Sequence, residues 1–285
     1  MLYPNADAWR AAKNKRVMVY GMSGLGKTHM SDILRNTKDW FHYSIDYRIG
    51  TRYMGEYIVD SCLKAAMDTP YLREMLRQDA IYIAPNVHTH DLGAVSTYLG
   101  KPGNTDAGGL SIDEYRIRQE QFKQAEINAL NDTAKFARRG LDVYGYAHFI
   151  CDTGGSICEW VEAEDDADTL MQTLSQTCLP VWIKGSDAHT EELVRRFDKA
   201  PKPMAYQPAF LAAAWEEYLS ENNVSEVDVD PDAFIRWTYA RALAHRQPRY
   251  ESMSRWGITV SADQVYALRS AADFDAMIEA ALPAS

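Results

Sequence analysis

Eight residues near the N-terminus, Gly21-Met22-Ser23-Gly24-Leu25-Gly26-Lys27-Thr28, carry the most definite chemistry in the chain. They satisfy the pattern GxxxxGK[ST] without a mismatch. Glycines at these places let successive backbone N–H groups turn toward a phosphate chain, and a helix opening behind them adds its positive N-terminal end. The ammonium of Lys27 would then reach the β- and γ-phosphates of a nucleotide, and the hydroxyl of Thr28 would coordinate Mg²⁺. All eight residues, Gly21, Met22, Ser23, Gly24, Leu25, Gly26, Lys27 and Thr28, are candidate nucleotide contacts.

Other residues qualify as partners. Asp152 ends an apolar run over 146–151 and is followed by Thr153-Gly154-Gly155-Ser156, which reads as a Walker B carboxylate holding the same Mg²⁺. Asp46 and Arg48 follow the apolar run 40–45; a carboxylate there can accept a hydroxyl proton, and an arginine, Arg48 or Arg52, can clamp a substrate anion. Arg195 and Arg196 close a helical pattern ahead of Pro201-Lys202-Pro203, where an arginine could fold over phosphates or merely complement a helix dipole. Glu159 reads as a surface carboxylate. His88-Thr89-His90-Asp91 has the look of a metal site but lacks further ligands, and reads better as a hydrogen-bonded loop. The tryptophans read as core or groove aromatics.

These residues need a scaffold that brings strand ends together. Short apolar runs (17–20, 40–45, 146–151, 179–183 and 257–260) alternate with helical patterns, the signature of an α/β fold with a largely parallel sheet. In such a sheet, ligands gather beyond the carboxyl ends of the strands, where the loop 21–28, Asp46 and Asp152 all fall. Ser111 and Glu114 form a capping-box pattern, and Gly140 sits at a helix-stop position. The spacing between them predicts one helix, a rod of roughly 40 Å. Residues 1–285 read as a single domain, with a helical insertion over 86–140 serving as a lid or a partner-binding arm and a further helical segment over 205–250.

The chain of 285 residues is 46% hydrophobic and 25% charged, an ordinary globular balance. Its net charge of −10, with no clustered Lys/Arg face, argues against nucleic acid as a partner. No apolar run approaches a membrane span. The N-terminus has neither a basic leader nor an apolar signal core, which implies cytoplasmic residence. The four cysteines lack CxxC spacing and read as reduced, mostly buried thiols.

The order of these motifs resembles the shikimate-kinase and nucleoside-monophosphate-kinase branch of P-loop proteins: a P-loop after the first strand, Asp46-x-Arg48 after the second, Asp152-Thr153-Gly154-Gly155 after the third and an arginine-bearing helix after the fourth. The chain also resembles sequences described only generically as bacterial ATPases. The resemblance implies a three-layer P-loop NTPase fold with strand order 2-3-1-4-5. It implies ATP and Mg²⁺ as cofactors, Asp46 and Arg48 at the acceptor, and a lid near 195–204, although Lys202 and Ser156 stand where that family usually has Arg and Gly. Two functions follow. One is a small-molecule phosphotransferase using Lys27, Asp46, Arg48, Asp152 and Arg196; the other is an ATP-hydrolysing switch whose inserted helix docks a protein partner. No N-K-x-D guanine motif appears near 261–264, which favours adenine.

Overall fold

The computed structural model describes residues 1–89 and 91–284. Five strands form one sheet: β1 (Arg16–Tyr20), β2 (Trp40–Ser44), β3 (His148–Asp152), β4 (Leu179–Lys184) and β5 (Ile258–Ser261). Every pairing is parallel and the order is β2-β3-β1-β4-β5, the expected α/β topology. The helices in chain order are α1 (Ala6–Ala11), α2 (Lys27–Asn36), α3 (Ile45–Arg48), α4 (Gly55–Met67), α5 (Pro70–Arg77), α6 (Gly93–Leu99) and α7 (Ile112–Asn131). They continue with α8 (Thr133–Asp142), α9 (Thr169–Thr177), α10 (Asp187–Lys199), α11 (Pro208–Asn222), α12 (Pro231–Met253), α13 (Ala262–Ala267) and α14 (Ala271–Ala281). Among the described residues, no helix is long and apolar enough to cross a membrane.

The chain divides into two compact units. The first comprises Met1–Ile45, Leu130–Pro201 and Arg236–Ser285; the second comprises Asp46–Ala129 and Lys202–Ile235. The stretch 86–140 is therefore shared between the units, and so is 205–250.

The first unit holds the sheet. A parallel strand needs cover on both faces, and β1 shows the result: Val17, Met18, Val19 and Tyr20 are all fully buried. Helix α2 packs on β2 and β3, α8 on the same two strands, α9 on β4 and α14 on β5. An aromatic corner ties the edge together, with Trp40 edge-on to Phe274 at 5.5 Å and Trp9 edge-on to Phe274 at 6.2 Å. Because β1 is central and its neighbours are β3 and β4, the loops after those strands converge at one end.

The second unit is helical. Tyr115 Oη and Gln119 Nε2, both on α7, donate to the carbonyl of Met204 at 3.0 and 2.9 Å, and Gln119 Oε1 accepts from the Tyr206 amide. Trp215 meets Phe234 edge-on at 4.9 Å, which anchors α11.

Three expectations are corrected. The single rod over 111–140 is two helices, α7 and α8, interrupted at Asp132. Gly140 does not stop the second of them but lies inside it, because a Cβ there would stand 2.9 Å from Phe41 Cβ. Helix α8 runs on to Asp142, and Gly145, at φ +73°, follows its end. The second strand ends at Ser44 rather than in a loop at Asp46, since the chain turns directly into α3 and then a π-helix over Ile49–Tyr53.

Candidate functional site

The phosphate-type loop sits where the sequence requires it, between β1 and α2. Gly21, Gly24 and Gly26 take φ values of +139°, +89° and +94°, which glycine alone adopts without strain. At Gly21 the space is closed as well: a Cβ would lie 2.7 Å from the carbonyl oxygen of Ile183 on β4. Lys27, at the first turn of α2, is buried and curls back over the loop, donating from Nζ to the carbonyls of Gly21 at 2.8 Å and Met22 at 3.0 Å. Thr28 and Ser23 are exposed.

Asp152 is the last residue of β3, in register with Val19 of β1. Thr153 fastens the two strand ends, its amide and its Oγ1 both donating to the Val19 carbonyl at 3.2 and 3.0 Å. The Asp152 side chain is 11% exposed, and its Oδ2 lies 3.8 Å from Nε2 of His42 on β2. Two residues past Thr153, Gly155 leans on the phosphate-type loop, since a Cβ there would be 2.8 Å from Ser23 Oγ.

That loop after β3 is braced from α12. Tyr250 Oη donates to the Gly155 carbonyl, and Arg249 Nε donates to the Cys158 carbonyl at 2.6 Å. Glu159 was expected at the surface, but its side chain is fully buried; Oε1 accepts from Arg246 Nε at 2.7 Å and Oε2 lies 3.2 Å from His245 Nε2. A buried carboxylate needs such a charged donor, and Arg246 lies 87 residues away in sequence, so no local pattern announced the pair.

One more side chain touches the loop without a sequence signal. Tyr266 on α13 donates from Oη to the Gly24 carbonyl, and its ring lies 6.0 Å from that of His189, the residue that completes the capping box of α10 with Ser186. Buried thiols nearby are chemically quiet: burial pushes Cys158 and Cys178 up to about 12, and it raises Cys151 well above the usual thiol range.

Arg195 and Arg196 lie on the exposed face of α10 and both hold Glu192, Arg195 through Nε and Nη2 at 2.7 and 2.8 Å and Arg196 through Nε at 2.6 Å. Their hydrogen bonds lower the Glu192 pKa.

Asp46 and Arg48 belong to the second unit, two and four residues past the end of β2. Both lie in α3, and the Arg48 guanidinium stands 5.4 Å from the centre of the Tyr53 ring. The π-helix that follows is closed by the Met54 amide donating to the Ile49 carbonyl at 2.8 Å, a distortion frequent at functional sites. Tyr53 also lines, with Tyr57, Gln121, Gln124 and Asn128, a groove of about 490 Å³, within the range of small-ligand sites. In the second unit, too, His88 and Asp91 exchange backbone hydrogen bonds at 3.1 and 3.0 Å; His90 lies outside the described residues.

The donor set suits a hard cation. Magnesium is held by one or two protein oxygens together with water and phosphate, and Thr28 and Asp152 offer a hydroxyl and a carboxylate.

No family model matches the chain, and no curated protein does. Among solved structures the chain is similar to shikimate kinase from Bacteroides thetaiotaomicron, determined at 1.7 Å resolution. The TM-score is 0.38 and the identity 16%, over 93% of this chain and 95% of that one.

Proposed function

We propose that this chain binds MgATP and transfers the γ-phosphoryl group to a hydroxyl of a small molecule. The observation that carries the proposal is the glycine loop between β1 and α2, with Lys27 buried over it and Asp152 ending the adjacent strand. The loop amides and the N-terminus of α2 take up the phosphates. Lys27 exchanges the carbonyls of Gly21 and Met22 for β- and γ-phosphate oxygens. Thr28 and Asp152 would hold a magnesium ion, which would supply charge neutralisation at the phosphates.

Asp46 accepts the proton of the acceptor hydroxyl. The acceptor oxygen forms the new bond to the γ-phosphorus, the bond from that phosphorus to the β–γ bridging oxygen breaks, and ADP leaves with the electron pair. Arg48 holds an anionic part of the acceptor, and Arg196, once it releases Glu192, covers the phosphates. A nucleotide-driven switch is the second reading. It needs the inserted helix as a docking arm, and the chain makes two helices over 111–140 and buries Thr133, Ala137 and Gly140 in the second.

Incubation with γ-labelled ATP and a metabolite extract tests the proposal. A labelled small molecule is expected from the wild-type chain and not from Lys27→Ala. Hydrolysis without any labelled metabolite, accelerated by an added protein, would replace the transferase with the switch.

A further inference from the structure

Beside Asp152 the sheet carries a histidine that the phosphoryl-transfer scheme leaves unused. The parallel register of β2 and β3 pairs Ser44 with Asp152 and His42 with Ile150. Alternation along both strands therefore puts His42 and Asp152 on the same face. β2 is an edge strand, yet the His42 side chain is only 4% exposed. Its Nε2 has no hydrogen-bond partner among the described residues. That nitrogen stands 3.8 Å from Oδ2 of Asp152, inside ion-pair reach and just outside hydrogen-bond reach.

Burial without a partner is rare for an imidazole nitrogen, because water no longer satisfies it. An ordinary core histidine would have found a carbonyl or hydroxyl. Here the polar atom beside it is the carboxylate assigned to the cation, one turn of a side chain away. The side chain is thus sealed from solvent and aimed at a group that must be oriented.

We propose that His42 is a positioning residue for the metal-holding carboxylate. Its Nε2–H donates to Oδ2 of Asp152 when that carboxylate engages the cation, which leaves Oδ1 for the cation and its water shell. The proposal rests on the assignment of Asp152 made above. Outer donors of this kind fix the direction of a ligating carboxylate, and their loss costs about 10–100-fold in metal affinity. Ser44, directly opposite Asp152, flanks the carboxylate on the same strand as His42.

The test measures the affinity of ATPγS by calorimetry, once in EDTA and once in excess Mg²⁺. The wild-type chain is expected to bind more tightly with Mg²⁺. His42→Leu should lose about 10-fold or more of that gain, with its EDTA affinity unchanged. His42→Gln, whose amide still donates, should keep more of the gain than His42→Leu. Adding His42→Leu to Asp152→Asn should cost nothing beyond Asp152→Asn alone, because the histidine acts through that carboxylate.

A full Mg²⁺ gain in His42→Leu, or an equal loss with and without Mg²⁺, would overturn the role of His42 and leave the nucleotide site standing. A wild-type chain that binds no ATPγS under either condition would remove the nucleotide site itself. The wild-type protein also gives a check free of any variant. With ¹⁵N-labelled histidine, the His42 imidazole resonances should move when Mg²⁺ is added to the ATPγS complex, and their staying in place would overturn the proposal.

Discussion

Glu159 and Arg246 form a salt bridge in the interior, Oε1 to Nε at 2.7 Å, with the carboxylate side chain wholly shielded from solvent. Tyr250, one turn further along α12, holds the Gly155 carbonyl, so this face of the helix sets the loop that leans on Ser23. Removing one member of a buried pair leaves the other charge uncompensated, which costs about 3–5 kcal/mol. Glu159→Ala is therefore expected to destabilise the chain by about that much. Replacing the pair together, as Glu159→Leu with Arg246→Met, should recover most of the loss. Urea unfolding around the cycle measures the coupling, and additive losses would mean that the pair is not held in solution.

The glycine loop makes a separable prediction. Gly21→Ala forces a φ of +139° on an L side chain and drives a Cβ to 2.7 Å from a backbone carbonyl of β4. Neither can relax without moving the strand, so a loss of about 1–3 kcal/mol is expected together with loss of nucleotide binding. Gly108→Ala is the control: its φ is +81° but nothing lies within 4 Å of the added Cβ. It should cost about 1–2 kcal/mol through the backbone alone and leave nucleotide binding intact. Thermal unfolding and nucleotide titration of both variants decide the matter. Normal nucleotide binding by Gly21→Ala would contradict the tight fit seen at β4.

These two cases also mark what was legible in the residues themselves. The loop 21–28, its strand and its helix are set by adjacent residues, so apolar run, glycines and lysine sufficed to place them. The strand order came only from the resemblance to P-loop kinases, and the sheet has it. What escaped depends on distant partners. Glu159 looks like any surface carboxylate until Arg246 is folded against it. Gly140 looks like a helix stop, but it is glycine because the Phe41 ring lies across it. His42 carries no motif, and its burial comes from strands joined by register across 108 residues, as Ser44 with Asp152. The helix over 111–140 kept its periodicity through Asp132, so spacing alone missed the interruption.

Arg196 separates a lid from decoration. Its side chain is 63% exposed and its Nε holds Glu192 on the same helix at 2.6 Å. Exposed pairs of this kind contribute little because water and salt screen them, so Arg196→Ala should leave the thermal midpoint almost unchanged. If the guanidinium closes over the transferring group, the same variant lowers turnover by about 10-fold or more at saturating ATP. Unaltered turnover would confine Arg196 to its pairing with Glu192.

The interior thiols give the chain a pH dependence of known sign. Burial pushes Cys158 and Cys178 up to about 12 and raises Cys151 well above the usual thiol range, whereas thiols in the unfolded chain titrate at about 8.5. Between about pH 8.5 and 12 the unfolded state therefore holds fewer protons than the folded state, and stability falls as pH rises. Below that window the contribution is fully present. Each thiol contributes a slope of up to about 1.4 kcal/mol per pH unit inside it. Urea midpoints at pH 7 and pH 8 should agree, and those at pH 9.5 and pH 10.5 should fall in steps. Cys178→Ala should show a shallower alkaline decline than the wild type, although it begins from a lower stability. Cys62 is exposed and the other three cysteines are buried, so a thiol reagent should label one site in the folded chain and four in urea. Rapid labelling of a second thiol without denaturant would show that the core around β3 and β4 opens far more readily than its packing implies.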